Sequence, residues 1–280
     1  MTAAEESVRA GRLDEALADL QGQVRKKPAD ARLRTFLFQL LAVRGEWDRA
    51  LTQLKVAAEL DPSAMAMAKT YQEVLRCEVL RADVFAGKRT PLLFGKPAEW
   101  MALLVQALTL IGAGKYEEAR SLREKALESA PATSGTIDDR PFAWIADADQ
   151  RLGPLLEAIV NGRYSWIPFA RLREIRIEKP TDLRDIAWTP VNLLLANGGE
   201  TVALVPTRYP GSQAASDPRL VMARATEWSE HPGETFLGLG QRLFATDQGE
   251  YGLMDVRLIK LDSAVDDEVE PAAEKAADPA

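Results

Sequence analysis

Gly11 and Gly45 lie 34 positions apart, and Pro28 and Pro62 lie 34 apart again. The segments GRLDEAL at 11–17, GEWDRAL at 45–51 and GKYEEAR at 114–120 share one pattern: Gly, an apolar or aromatic residue two positions on, Ala five positions on. Gly114 and Pro131 follow Gly45 and Pro62 by 69 residues, two periods plus one. A 34-residue period with these marks is that of stacked antiparallel helix pairs of the tetratricopeptide type. Each position has a physical reason. Gly11, Gly45 and Gly114 suit the tight turn between helices, where a missing Cβ permits left-handed backbone. Leu13, Trp47 and Tyr116 open the second helix, and Ala16, Ala50 and Ala119 follow on the same face, small enough to let the partner helix approach.

The spacing predicts helices over 13–27, 30–43, 47–60, 63–85, 97–112 and 115–129, with a short one at 2–9. LDPS at 60–63 stops one helix and offers Ser63 as the cap of the next. Residues 64–86 lack a second hairpin signature and read as one extended helix or a degenerate repeat. GKRTPLLFGKP at 87–97 interrupts the stack with Gly and Pro. Three hairpins suffice to share a core. Their concave face suits a bound peptide or helix, the alternative being that the repeats simply dock on the rest of the chain.

After Pro131 the texture changes. PATSGTIDDRPF at 131–142 reads as a turn-rich linker. Residues 148–160 show helical spacing through Leu152, Leu155, Leu156 and Ile159, with Asn161-Gly162 as a stop and Pro154 as the objection to an unbroken helix. Period-two runs predict strands at 164–169, 172–179, 191–198 and 201–209, joined in part by the NGG hairpin signal at 197–199. Residues 220–231 and 251–261 add two candidates, and 229–251 reads as loops with a short helical or strand piece. The expected fold is α+β: tetratricopeptide-like antiparallel helical hairpins over 1–130, then a small α+β domain over 131–262 with a barrel-like antiparallel sheet. Residues 263–280, rich in Ala, Asp, Glu and Pro, read as a disordered acidic tail.

Charge narrows the partners. The net charge is -7, and the segment from Asp262 onward carries most of it, leaving a nearly neutral body. Such a body exerts no general attraction on nucleic acid. No run of apolar residues suggests a membrane span or an export signal, and one cysteine, Cys77, agrees with a reducing cytosol.

Candidate chemistry is sparse. His231, the single histidine, sits in a loop-like HPG context, and Cys77 falls at helical spacing among apolar residues. One His and one Cys leave no zinc set. Asp138, Asp139, Asp147 and Asp149 concentrate in one stretch, but without calcium-loop spacing; capping and solvation explain them more simply than a carboxylate metal site. GLGQRL at 238–243 lacks the third glycine of a nucleotide loop, GSQAAS at 211–216 is no nucleophile elbow, and no P-loop occurs. No catalytic, cofactor-binding or metal residue is assigned, and no cofactor is expected. RYPGS at 208–212 is a turn that could present Arg208, Tyr209 and Pro210 outward as a contact surface or serve a structural end.

Three longer runs resemble a known family: PFAWIADADQRLGPLLEAIVNGRYSWIPFARL at 141–172, LRDIAWTPVNLLLANG at 183–198 and LVPTRYPGS at 204–212. Together they are similar to the ImpE/TagJ family, accessory proteins of bacterial type VI secretion. The matching motif positions include Arg151, Arg163, Tyr164, Trp166, Phe169, Arg208, Tyr209 and Pro210. The resemblance implies a cytoplasmic, non-enzymatic adaptor that binds the N-terminal helix of the small contractile-sheath subunit and is linked to sheath recycling by the ClpV ATPase. A general chaperone-like scaffold, or a carboxylate-metal phosphoesterase built on the Asp138–Asp149 stretch, are the alternatives.

Overall fold

Helix starts in the first half are set by side chains that accept otherwise unpaired amides. In this computed structural model, which describes residues 2–263, Thr2 and Glu5 form a reciprocal capping box on α1 (Ala3–Arg9). The tail expected beyond 263 lies outside the described residues. α2 (Leu13–Lys26) follows, and Asp30 caps α3 (Ala31–Val43) by accepting the amides of Arg32 and Leu33. After α4 (Trp47–Leu60), Asp61 rather than Ser63 supplies the cap, accepting the Ser63 amide to open a 3₁₀ turn. That turn leads into α5 (Met65–Phe85), a single helix of 21 residues. α6 (Glu99–Gly112) and α7 (Tyr116–Ser129) form the last hairpin. The helix expectations therefore hold within a residue or two, and the ambiguous 64–86 stretch is one continuous helix. A tetratricopeptide model matches residues 7–70 of this half, as reported with the other comparisons below.

The second half adds fourteen short strands, counting the strap before α6. They are β1 (Leu92–Leu93), β2 (Gly135–Ile137), β3 (Arg140–Phe142), β4 (Ile145–Asp147), β5 (Leu155–Val160), β6 (Arg163–Pro168), β7 (Leu172–Ile177), β8 (Trp188–Leu195), β9 (Glu200–Pro206), β10 (Thr226–His231), β11 (Thr235–Gly240), β12 (Leu243–Thr246), β13 (Gly249–Gly252) and β14 (Leu258–Leu261). Nine of them make one sheet in the order β1-β6-β5-β9-β8-β7-β14-β2-β3; β13-β12-β4 and β10-β11 form two smaller ones.

The expected barrel is not formed. The end strands β1 and β3 do not pair with each other, so the large sheet stays open. Its ends are blunted instead. One carries only the two-residue parallel pairing of Leu92 and Leu93 with Ser165 and Trp166, and the other ends in a strand containing Pro141. Closure is unnecessary because both faces are covered. α3 to α6 lie over one, and residues of β12 with Leu253 and Val256 cover the other.

That double cover explains a second difference. Residues 155–160 form a strand, not the C-terminal part of a helix. LLEAIV is buried on both faces, so period-two alternation is hidden and the run mimics helical spacing. Leu155 and Ile159 enter the core under the helices, whereas Leu156 and Ala158 enter the opposite one. Asn161-Gly162 is the tight turn of the β5–β6 hairpin, with both residues at positive φ. Similarly, the expected 131–142 linker holds the β2–β3 hairpin, turned by Asp138 and Asp139 at positive φ. NGG at 197–199 turns β8 into β9 as expected.

The core under the helices is continuous across both halves. Tyr71 of α5 meets Trp188 of β8 with ring centroids 5.6 Å apart, Trp47 meets Trp188 at 5.9 Å, and Phe85 meets Trp166 at 5.9 Å. Both sheet tryptophans are fully buried. At roughly 200 Å² each, their burial is worth about 5 kcal/mol apiece before ordering costs. The sheet thus fills much of the repeat stack's own concave face.

Candidate functional site

The family-like motif residues converge where that face meets the sheet, and they converge inward. Glu157, fully buried in β5, accepts from Arg81 of α5 at 2.5 and 3.1 Å, from the Tyr164 hydroxyl at 2.5 Å and from Arg242. The Trp166 indole donates to the Tyr164 oxygen at 2.8 Å, extending the chain of bonds along β6. Arg242 also pairs with Asp147 and donates to the Pro206 carbonyl at 2.9 Å. It fills the place where β5 and β9 pair only through Ile159–Leu204 and Val160–Ala203. The Tyr209 hydroxyl donates to Asp147 at 3.0 Å.

Arg151 closes a two-point contact on Asp149 at 2.8 and 2.5 Å, and Asp149 also accepts the Gly238 amide at 2.9 Å. Arg208 donates to the carbonyls of Val43 at 2.8 Å and Val221 at 2.6 Å, and its own carbonyl accepts from Arg81 at 2.8 Å. Glu78 accepts from the Trp188 indole at 2.8 Å. Four arginines and four carboxylates, all buried, therefore balance one another: Arg81, Arg151, Arg208 and Arg242 against Glu78, Asp147, Asp149 and Glu157.

The electrostatics follow the partners. Burial alone would raise Glu157, but Arg81 and Arg242 outweigh it and hold the carboxyl below the ordinary range. Asp147 has one fewer arginine, and burial pushes it up to about 6. Burial likewise lowers Arg208 to about 10, which fits its bonding to neutral carbonyls.

The structure thus places the motif side chains where a partner does not reach them. The RYPGS turn points Arg208 and Tyr209 into the interior, with Pro210 half-buried. Phe169 lies in the opposite core against Phe244, centroids 6.2 Å apart. Of the eight positions Arg163, at the β5–β6 turn, is the exposed one. Gly11, Gly45 and Gly114 all sit at helix-to-helix turns with φ of +77°, +72° and +74°. Asp147 and Asp149 belong to the ionic network, and Asp138 accepts the amides of Arg257 and Leu258 at 3.0 and 2.8 Å. Among the described residues no group of three or more His, Cys, Asp or Glu side chains is placed to hold a metal ion. Nor is any helix there long and apolar enough to cross a membrane. His231 stacks on Tyr116 at 4.7 Å, and buried Cys77 donates to the Gly162 carbonyl at 3.3 Å.

Arg81, Glu157 and Arg242 were not candidates by sequence. A signal existed: Glu157 is a lone charge inside an otherwise apolar run, and such a charge needs a partner wherever the run is buried.

What remains open to a partner is a groove of about 770 Å³ at the start of the repeat stack. Arg32, Thr35, Phe36 and Gln39 of α3 line it as one helical stripe, opposite Thr2, Glu5 and Arg9 of α1. The 3₁₀ turn Leu183–Ile186 and residues Met222 and Arg224 complete its walls. It continues the concave face beyond the point where the sheet fills it.

Comparison with known proteins places this arrangement. The ImpE protein family model matches residues 139–260, and a tetratricopeptide repeat model matches 7–70. The type VI secretion system accessory component TagJ of Pseudomonas aeruginosa is 55% identical over 254 residues, 91% of this chain and 89% of that one. The crystal structure of protein VPA1032 from Vibrio parahaemolyticus shares the fold. Its TM-score is 0.86 at 24% identity, covering 94% of this chain and 99% of that one.

Proposed function

The chain belongs to the ImpE/TagJ family, and from that premise we propose that it is a non-enzymatic adaptor of a type VI secretion system. In this reading it acts in the cytoplasm. It binds the N-terminal helix of the small contractile-sheath subunit and so modulates sheath recycling by the ClpV ATPase. The observation that carries the reading is the similarity to TagJ along nine-tenths of the chain, which spans both the repeats and the sheet. The geometry agrees with it. The motif side chains fix one half of the molecule on the other through a charge-balanced interior, and the open surface of the repeats ends in a groove bordered by helices.

Calorimetric titration of the full chain with a peptide of the small subunit's N-terminal helix tests this, at two temperatures so that an enthalpy near zero does not hide binding. Saturable one-site binding with a negative heat-capacity change is expected, because apolar surface is buried. Silence at both temperatures, with no retention of the assembled sheath subunits in co-sedimentation, would sink it. Equal binding of unrelated apolar peptides would instead mark a chaperone-like scaffold.

A further inference from the structure

The groove at the start of the stack has a charge pattern that its floor does not account for. The floor is apolar: Val8, Leu33, Phe36, Leu183, Ile186 and Met222. Arg9, Arg32 and Arg224 border it, and none of the three makes an ion pair among the described residues. Arg224 donates to the Arg9 carbonyl at 2.8 Å, and Arg32 acts on Asp61 through space. The carboxylates at the rim are committed elsewhere. Glu5 accepts the Thr2 amide at 2.7 Å, Asp61 the Ser63 amide at 2.9 Å, and Asp182 the Arg184 amide at 3.2 Å. Each therefore sits at a helix start, where the backbone's partial positive charge already offsets it. The cations have no such offset, so the groove is complementary to negative charge.

We propose that this groove docks an amphipathic helix of a partner protein whose apolar stripe is flanked by Asp and Glu. Its walls are helices and turns, with no strand edge to extend, so an extended peptide would find no backbone partners. The 13 residues of α3 run for roughly 20 Å, space for three to four turns of a helix laid alongside. Its apolar side chains would cover Phe36 and Leu33, and its carboxylates would meet Arg9, Arg32 and Arg224. The adaptor reading bears only on where such a helix comes from; the chemistry of the groove is argued from these residues.

The test uses the full chain and two synthetic 18-residue peptides with the same Leu stripe, one flanked by Glu and the other by Lys, followed by fluorescence anisotropy. The Glu peptide is expected to bind at least tenfold tighter than the Lys peptide and to weaken as salt rises. The R9E/R32E protein should lose at least tenfold for the Glu peptide and gain for the Lys peptide. Both arginines are exposed; if that variant melts early, Gln39→Trp, which fills the groove from the α3 stripe, should block the Glu peptide instead. Equal binding of the two peptides, or unchanged binding by R9E/R32E and Gln39→Trp, overturns the proposal.

The sheath-helix peptide run in parallel separates the two ideas. If it binds wild type and R9E/R32E alike, the groove assignment fails and the adaptor reading stands. If it binds neither while the Glu peptide follows the arginines, the adaptor reading fails and the groove stands.

Discussion

The two faces of the nine-stranded sheet are buried equally well by different means. The face turned from the helices is almost wholly apolar, joining Leu156, Ala158, Ile167, Phe169, Leu193, Val205 and Phe244. The face under the helices mixes Leu155, Ile159, Trp166 and Trp188 with Glu157, Tyr164 and the arginines that reach them. An apolar surface accepts any apolar cover of the right shape, because hydrophobic burial is not directional. A buried carboxylate accepts only the arrangement that brings its arginines. The difference suggests a division of labour: one face holds the sheet together, the other fixes how the repeats sit on it.

The largest expected effects test that division directly. Glu157→Gln leaves Arg81 and Arg242 underpaired in the interior and should cost about 3–5 kcal/mol. Phe244→Ala opens a cavity on the other face and should cost about as much, 3–5 kcal/mol. Their signatures should differ. In Glu157→Gln, tryptophan fluorescence from Trp47, Trp166 and Trp188 at the helix–sheet contact should report a urea transition earlier than far-ultraviolet circular dichroism does. In Phe244→Ala the two probes should coincide. Coincident transitions in both variants would mean that the ionic face does no more than the apolar one.

A smaller effect concerns protons. Asp147 is raised to about 6 in the folded protein from an ordinary value of 3.8. The folded state therefore holds this proton more tightly than the unfolded chain, and the stability due to Asp147 falls as pH rises from about 4 to 6, by at most about 3 kcal/mol. Glu157, held low, works oppositely: its contribution is present above the unfolded value of 4.5 and is lost as pH falls through the folded one. Between pH 4.5 and 6 the Asp147 slope should dominate in the wild-type protein, and Asp147→Asn should flatten it. Urea midpoints across that interval decide the matter; identical slopes would show that Asp147 does not titrate there.

How legible this was in the sequence depended on which face a residue joined. The repeat helices were read to within a residue or two because each buries one stripe and leaves the rest wet, so the period survives in the letters. β5 was misread because the same layering that buries Leu155 on one side buries Leu156 on the other, and a strand buried twice has no alternation to detect. The open sheet was invisible for a related reason. Its cover comes from helices 70 or more residues earlier in the chain, such as Arg81 reaching Glu157, and no local pattern records that. The motif RYPGS was noticed, yet its direction was not deducible: Arg208 and Tyr209 look like surface hot-spot residues until Val43, Val221 and Asp147 supply their partners.

The repeat glycines carry the comparison to its smallest expected effect. Sequence assigns Gly45 and Gly114 the same task, and both have the positive φ that task requires. Their surroundings differ. A Cβ on Gly114 would meet nothing within 4 Å, whereas one on Gly45 would lie 2.4 Å from Cγ of Gln213, in the turn that follows RYPGS. Gly114→Ala should therefore cost only the left-handed backbone, about 1 kcal/mol. Gly45→Ala adds displacement of the Gln213 loop and should cost about 2 kcal/mol. The Gln213→Ala background supplies the control, since it removes the side chain the new methyl would strike. There the two glycine substitutions should become equal. If they already match in the wild-type background, the loop yields without cost, and the repeat turns contribute to helix pairing alone and not to seating the stack on the sheet.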